Sequence, residues 1–212
     1  MTTPWQSQVE QGQPTLQGSL MFIGTATVLL RLGPFAVLTD PNFLHRGQPA
    51  YLGRGMWSRR LTDPAIEPGS LPRLDAVLLS HLHGDHFDRV ARRRLPRDVP
   101  VITTPHAAQR LGRIGFSTLG LRTWQRHQLV HGSETLSFEA LPAVHARGAM
   151  ARVLPAVMGT LIEHRMASGP SRRIYLTGDT ITGPTWTRSP AGTRTSTSPS
   201  CTSVAPGCWV TR

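Results

Sequence analysis

The nine residues SHLHGDHFD, Ser80 to Asp88, contain three histidines and two aspartates. Neutral imidazole and carboxylate together suit zinc, and iron or manganese accept the same mixture. His81 and His83 are separated by one residue, so at the mouth of a strand their side chains point the same way. Gly84 allows a tight turn, after which Asp85 and His86 face a second position. The spacing therefore predicts two metal ions side by side. A buried carboxylate among three imidazoles has no inexpensive apolar explanation.

Two ions need further ligands and a bridge. The downstream candidates are His145, in LPAVHARG, and Asp179, in YLTGDT. Each follows an apolar run that reads as a strand, as His81 does, and one mouth of a layered α/β protein would gather such positions. His45, His106, His127, His131 and His164 stand singly and are read as packed or surface residues.

The elements that must hold these groups are legible in outline. Residues 1–18 read as a loose arm. LMFIGTATVLLRL and FAVLTDP, joined by a Gly-Pro turn, read as two strands of a hairpin. Residues 42–73 are rich in Gly, Pro and Arg and predict a long surface loop, a candidate substrate lid. LDAVLLS predicts a buried strand ending at the histidine cluster. DRVARRRL predicts a helix with Asp88 in its first turn, where a carboxylate suits the helix dipole. VPVITT is a strand, and PHAAQRLGRIG a helix opening on Pro105 and closing at Gly115. HQLV, ETLSFEALPAV, VMGTLIEHR and RRIYLTGD predict a β-rich second part, with MASGPS as a hairpin turn. Buried strands alternating with helices, followed by extended hairpins, give a layered α/β protein.

Composition narrows the function classes. The chain has 212 residues, enough for one domain with a proper core, and a net charge of +11. All 23 basic residues are Arg, and all 12 acidic residues precede Pro184. An all-Arg balance is the signature of GC-rich coding, and the excess belongs partly to an acid-free tail. It is read as compositional, so neither a nucleic-acid partner nor an anionic-membrane face is expected from it. The run Arg92, Arg93, Arg94 is read as a solvated helix face. The two cysteines, Cys201 and Cys208, lie in the tail, which excludes a disulfide framework or thiolate metal site in the body. The start of the chain does not read as a signal peptide, and no run approaches the about 18 apolar residues of a membrane span. A soluble, cytoplasmic protein is expected.

HLHGDH fits the H-x-H-x-D-H signature of the metallo-β-lactamase fold hydrolases, which this chain resembles. LTDP at Leu38–Pro41, AVHA around His145 and TGDT at Thr177–Thr180 fall in the order that superfamily uses. The stretch IGTATVLLRL…LTDP is most similar to its branch of lactonases, phosphodiesterases and N-acyl-phosphatidylethanolamine phospholipase D relatives. The resemblance covers residues 19–184 and implies an αββα sandwich, incomplete at the C-terminus. It implies that His81, His83 and His145 hold one zinc ion, that Asp85 and His86 hold a second, and that Asp179 bridges them. Asp40 would support the ligand loop from behind. The implied reaction is hydrolysis of an ester, lactone or phosphodiester in a small or lipid-like substrate by a metal-bridging hydroxide, with Asp85 orienting it or accepting its proton. A non-catalytic metal-binding remnant is the alternative, and a nuclease of the same fold a minor one.

The chain departs from that family in one respect: no histidine follows Asp179, where the family carries one more ligand. Residues 185–212 are rich in Ser, Thr and Pro and read as an aberrant or disordered tail. Read across codon junctions in the alternative frame, Thr195 to Thr211 becomes VDLAVLHLGGTRVLGD, and its apolar positions are independent of the free third bases. A displaced reading frame after about residue 184 is therefore expected, with a truncated domain, a weakened second metal site and impaired activity.

Overall fold

The structure is a computed structural model that describes residues 18–53, 55–146, 154–168 and 171–181, and the backbone of 202–205 and 208–211. Two six-stranded sheets pack face to face, and two helices cover the outer face of the first.

The first sheet begins as a meander. β1 (Gly18–Gly24) and β2 (Thr27–Leu32) form an antiparallel pair, and β3 (Phe35–Thr39) continues it. The apolar run that reads as one strand is thus two, broken where Gly24 and Thr25 adopt positive φ angles of 147° and 56°. Periodicity cannot show this break, because the flanking residues stay apolar on both sides of it.

The chain then crosses to β6 (Ala76–Leu78), parallel to β3. α1 (Arg89–Arg94), β7 (Val101–Thr103), α2 (Pro105–Gly112) and β8 (Thr118–Gly120) follow as parallel β-α-β units. The expected β-α-β-α order is present. Asp88 caps α1, its carboxylate accepting a bond from Ala91 N at 2.6 Å, rather than lying within the first turn. Thr104 caps α2 in the same way, with Pro105 at the first helical position. α2 ends at Gly112, and Gly115 takes the left-handed turn beyond it, with φ 87°.

Residues 42–73 are not a plain loop. They fold into an antiparallel hairpin, β4 (Pro49–Gly53) and β5 (Met56–Arg59), and a single 3₁₀ turn at Pro68–Ser70.

The second sheet is antiparallel: β9 (Arg126–His131), β10 (Glu134–Pro142), β11 (Met158–Arg165) and β12 (Arg172–Leu176) lie side by side. Beyond them, β14 (Cys208–Thr211) pairs with β12, and β13 (Thr202–Ala205) with β14. Those eight residues of the expected aberrant or disordered tail take strand backbone. The rest of it, including the expected change of frame near residue 184, lies outside the described residues.

Strand alternation builds the core. Val28, Leu30 and Leu32 of β2 meet Leu136, Phe138 and Ala140 of β10 and Ile162 of β11 between the sheets. Leu29, Leu38, Val77 and Val101 face the other way, against Ala91 and Leu95 at α1 and Leu111 of α2. The order is helix, sheet, sheet, as the αββα expectation requires for its first three layers. No helix covers the outer face of the second sheet among the described residues.

Candidate metal centre

β3 and β6 are parallel neighbours, so their C-terminal ends open at the same edge. Asp40 follows β3 and accepts a 2.7 Å bond from Ser80 N, just past β6. Its other carboxylate oxygen lies 3.2 Å from His86 Nδ1. To do this Asp40 takes a φ of 36°, an uncommon conformation for a residue with a Cβ. Thr27 Oγ1 donates to Asp40 O at 2.7 Å and holds it there.

The turn after β6 is fastened at several points. His86 N and Phe87 N both donate to His83 O. Asn42 Nδ2 donates to Asp85 O at 2.9 Å. Asp88 accepts from Phe43 N at 2.5 Å as well as capping α1. Phe87 is buried and packs edge-on against Phe116, 5.5 Å between centroids. Burial pushes the Asp88 carboxyl up, opposed by the backbone donors of Ala91 and Phe43.

The second sheet supplies the facing groups. His145 lies in the loop after β10 and Asp179 in the loop after β12. Val144 N donates to Thr180 Oγ1 at 2.8 Å, and Ile181 N to Val144 O at 2.8 Å, tying the two loops together. Met158 N donates to Ser80 O at 3.0 Å and joins this side to the ligand turn. Gly178, at φ 59°, sits where a Cβ would meet Ser80 Cβ at 2.9 Å, so the loop reaches its place only with glycine there.

The sequence-predicted residues converge. His81, His83 and His145 bring one ligand nitrogen each within 4.8 Å of one another, and His81, His86 and Asp179 form a second such group. His81 Nε2 lies 3.0 Å from His83 Nδ1 and 3.9 Å from Asp179 Oδ2. His86 Nε2 lies 3.2 Å from Asp179 Oδ1 and 3.8 Å from Asp85 Oδ2. His145 Nε2 lies 3.9 Å from Asp179 Oδ2. Asp179 thus stands between the two groups, and His81 belongs to both. His45, His106, His127, His131 and His164 are in neither.

The electrostatics of the buried imidazoles diverge. Burial drives the His81 imidazole far below its usual range, with His86 adding to the effect, so it stays neutral as a ligand must. His86 is the opposite case. Burial lowers it, but Asp40 and the Asp179 hydrogen bond outweigh burial and raise it to about 11. Asp179 is held well below the carboxylate range, first by its bond to His86. Asp85 Oδ1 and His145 Nδ1 are buried without a hydrogen-bond partner. An unpaired buried carboxylate oxygen beside converging imidazoles suits a cation.

Asp40, Asp85, His86, His145 and Asp179 line a cavity of about 560 Å³, together with Thr25 and the strand ends beside it. Sequence reasoning missed Ser80, Asn42 and Thr180, which position ligands. Ser80 and Thr180 lie inside the quoted motifs, but their bonds to Asp40, Met158 and Val144 span distant parts of the sequence and carry no local signal.

A family model described as Beta-lactamase superfamily domain matches residues 36–193. An uncharacterized Mycobacterium tuberculosis protein is 30% identical over 168 residues, covering 76% of this chain and 42% of that protein. The N-acyl-phosphatidylethanolamine-hydrolyzing phospholipase D 1 of Caenorhabditis elegans is 28% identical, covering 75% and 46%. The chain spans about half the length of these relatives. Among solved structures, a possible metal-dependent hydrolase of Veillonella parvula has a TM-score of 0.62 at 20% identity, covering 79% of this chain and 64% of that one. An isothiocyanate hydrolase from Delia radicum gut bacteria has the same TM-score at 22% identity, covering 79% and 65%.

Proposed function

The chain belongs to the beta-lactamase superfamily, and from that premise we propose that it is a metal-dependent hydrolase of an ester, lactone or phosphodiester. The observation that carries this reading is the pair of overlapping ligand groups that share the buried His81, with His86, His145 and Asp179 at the wall of a cavity. His81, His83 and His145 would hold one divalent ion, zinc by its preference for imidazole. His86, Asp85 and the bridging Asp179 would hold a second, and iron or manganese fit the same donors. Bound there, such ions supply an acidified water and polarise the oxygen of the scissile group.

The protein's own residues do the rest. Asp40 receives His86 Nδ1 and so aims Nε2 into the centre. Ser80 Oγ, 3.0 Å from His81 Nδ1, does the same for that ring. Asp85, with one oxygen unpaired, is placed to orient water or take its proton. The second group has one imidazole of its own, His86, where the first has His83 and His145. An ion there would therefore be held less tightly, and its occupancy would limit how active this chain is.

The substrate is small or lipid-like. The sequence likeness to a phospholipase D acting on N-acyl-phosphatidylethanolamine supports a phosphodiester with apolar substituents. The test is hydrolysis of bis-p-nitrophenyl phosphate and of a simple lactone by the purified chain, with metal content measured on the same sample. Turnover that rises with bound metal supports the reading. Bound metal without turnover of either compound favours a non-catalytic metal-binding protein.

A further inference from the structure

The β4–β5 hairpin does not belong to the metal centre, yet it leans on it. Gly84 N donates to Tyr51 O at 2.9 Å, and a Cβ placed on Gly53 would lie 3.7 Å from His83 Nε2. A Cβ on Gly84 would collide with Tyr51 O, so glycine lets the hairpin seat on the ligand turn.

Its other face is open. Ala50 is buried, so strand alternation turns Pro49 and Tyr51 outward, and their partners Arg59 and Trp57 with them. Tyr51 is 45% and Trp57 62% exposed, their rings 4.8 Å apart. Met56, 45% exposed, precedes Trp57 in β5, and Leu61, 81% exposed, follows the strand. Four of the eight exposed large apolar side chains among the described residues thus fall between positions 51 and 61. Residues 46–62 contain four arginines and no acid. Arg89 adds a guanidinium from α1, donating to Pro49 O at 3.0 Å. Asp63 is engaged by His45 and by Arg46, whose backbone N donates to it at 2.9 Å, and Glu67 by His45.

Tryptophan and tyrosine favour the headgroup level of a bilayer, aliphatic side chains enter just below it, and arginine is drawn to anionic headgroups. We propose that the β4–β5 hairpin is a membrane-docking element that seats this chain on an anionic bilayer through Tyr51, Met56, Trp57 and Leu61, with Arg59 and Arg89 over the headgroups. Aromatic rings among arginines also stack on single-stranded nucleic acid. Here Tyr51 and Trp57 turn toward each other, and the neighbouring Met56 and Leu61 offer a base nothing but serve an acyl layer. The whole-chain charge of +11 gave no such location. The hairpin gathers exposed apolar and arginine side chains beside the turn that carries His83.

The test is co-sedimentation of the full chain with sucrose-loaded vesicles of phosphatidylcholine alone, or of equal parts phosphatidylcholine and phosphatidylglycerol. It needs no turnover, so its outcome is separate from the hydrolase reading. Binding to the anionic vesicles is expected to exceed that to neutral ones by about tenfold or more and to weaken with added salt. Trp57→Glu is expected to lower it by about tenfold, and Arg59→Gln by about fivefold on anionic vesicles only. Val130→Glu, on β9, is expected to leave it unchanged. Circular dichroism establishes that each variant is folded. Equal binding by Trp57→Glu and Arg59→Gln, no vesicle binding, tighter binding to single-stranded RNA, or a dimer that Trp57→Glu dissociates would each overturn the proposal.

Discussion

His81 is fully buried and His86 nearly so, whereas Asp179, which both face, has a side chain 45% exposed. The two sides of the candidate centre are built by different means. The ligand turn after β6 is braced from three directions: Asp40 behind it, Asn42 across it and Asp88 at the start of α1. The loops carrying His145 and Asp179 are braced chiefly by each other, through Thr180 and Val144. The first side is preformed by the fold. The second is an attachment whose geometry depends on a few bonds and on the close approach of Gly178.

This contrast can be broken at either end. His81→Ala removes the residue common to both ligand groups, and metal content and hydrolysis should both fall to background. Asp40→Ala leaves every ligand in place but frees His86 and Ser80 N, and metal affinity should fall by about 10–100-fold, measured by competition with a chelating dye. Asp88→Ala removes the α1 cap and the acceptor for Phe43 N. It should cost about 2 kcal/mol in denaturant unfolding and reduce metal binding less than Asp40→Ala does. Thr180→Val cuts the bond to Val144 N on the looser side. About 1 kcal/mol of stability should be lost, with the effect on activity larger than on metal content. An Asp88→Ala effect on metal binding greater than that of Asp40→Ala would contradict the division of roles.

What could be read beforehand follows the same line. His81, His83, Asp85 and His86 were legible because four donors in six residues are improbable without a shared purpose. His145 and Asp179 were legible only as strand-end positions and by likeness to a family, and Asp40 by that likeness alone, since their convergence depends on sheet topology. The β4–β5 hairpin was hidden because its Gly, Pro and Arg content reads as loop. Its strands are fixed by the seat on Gly84, a tertiary contact. The break between β1 and β2 was hidden for the converse reason, an apolar run continuing through a left-handed turn. The brace by Ser80, Asn42 and Thr180 leaves no trace in local pattern.

We propose that the ligands carried by both sheets form one metal centre. The most direct measurement is metal content per chain by mass spectrometry after chelator stripping and reloading with zinc, for the parent, His81→Ala and His145→Ala. One tightly held ion is expected in the parent, with a second that washes out more easily. Loss of the tight ion is expected in both variants, although His81 and His145 lie on different sheets. A parent that retains no more zinc than His81→Ala, or a His145→Ala variant that keeps the tight ion, would contradict the proposal.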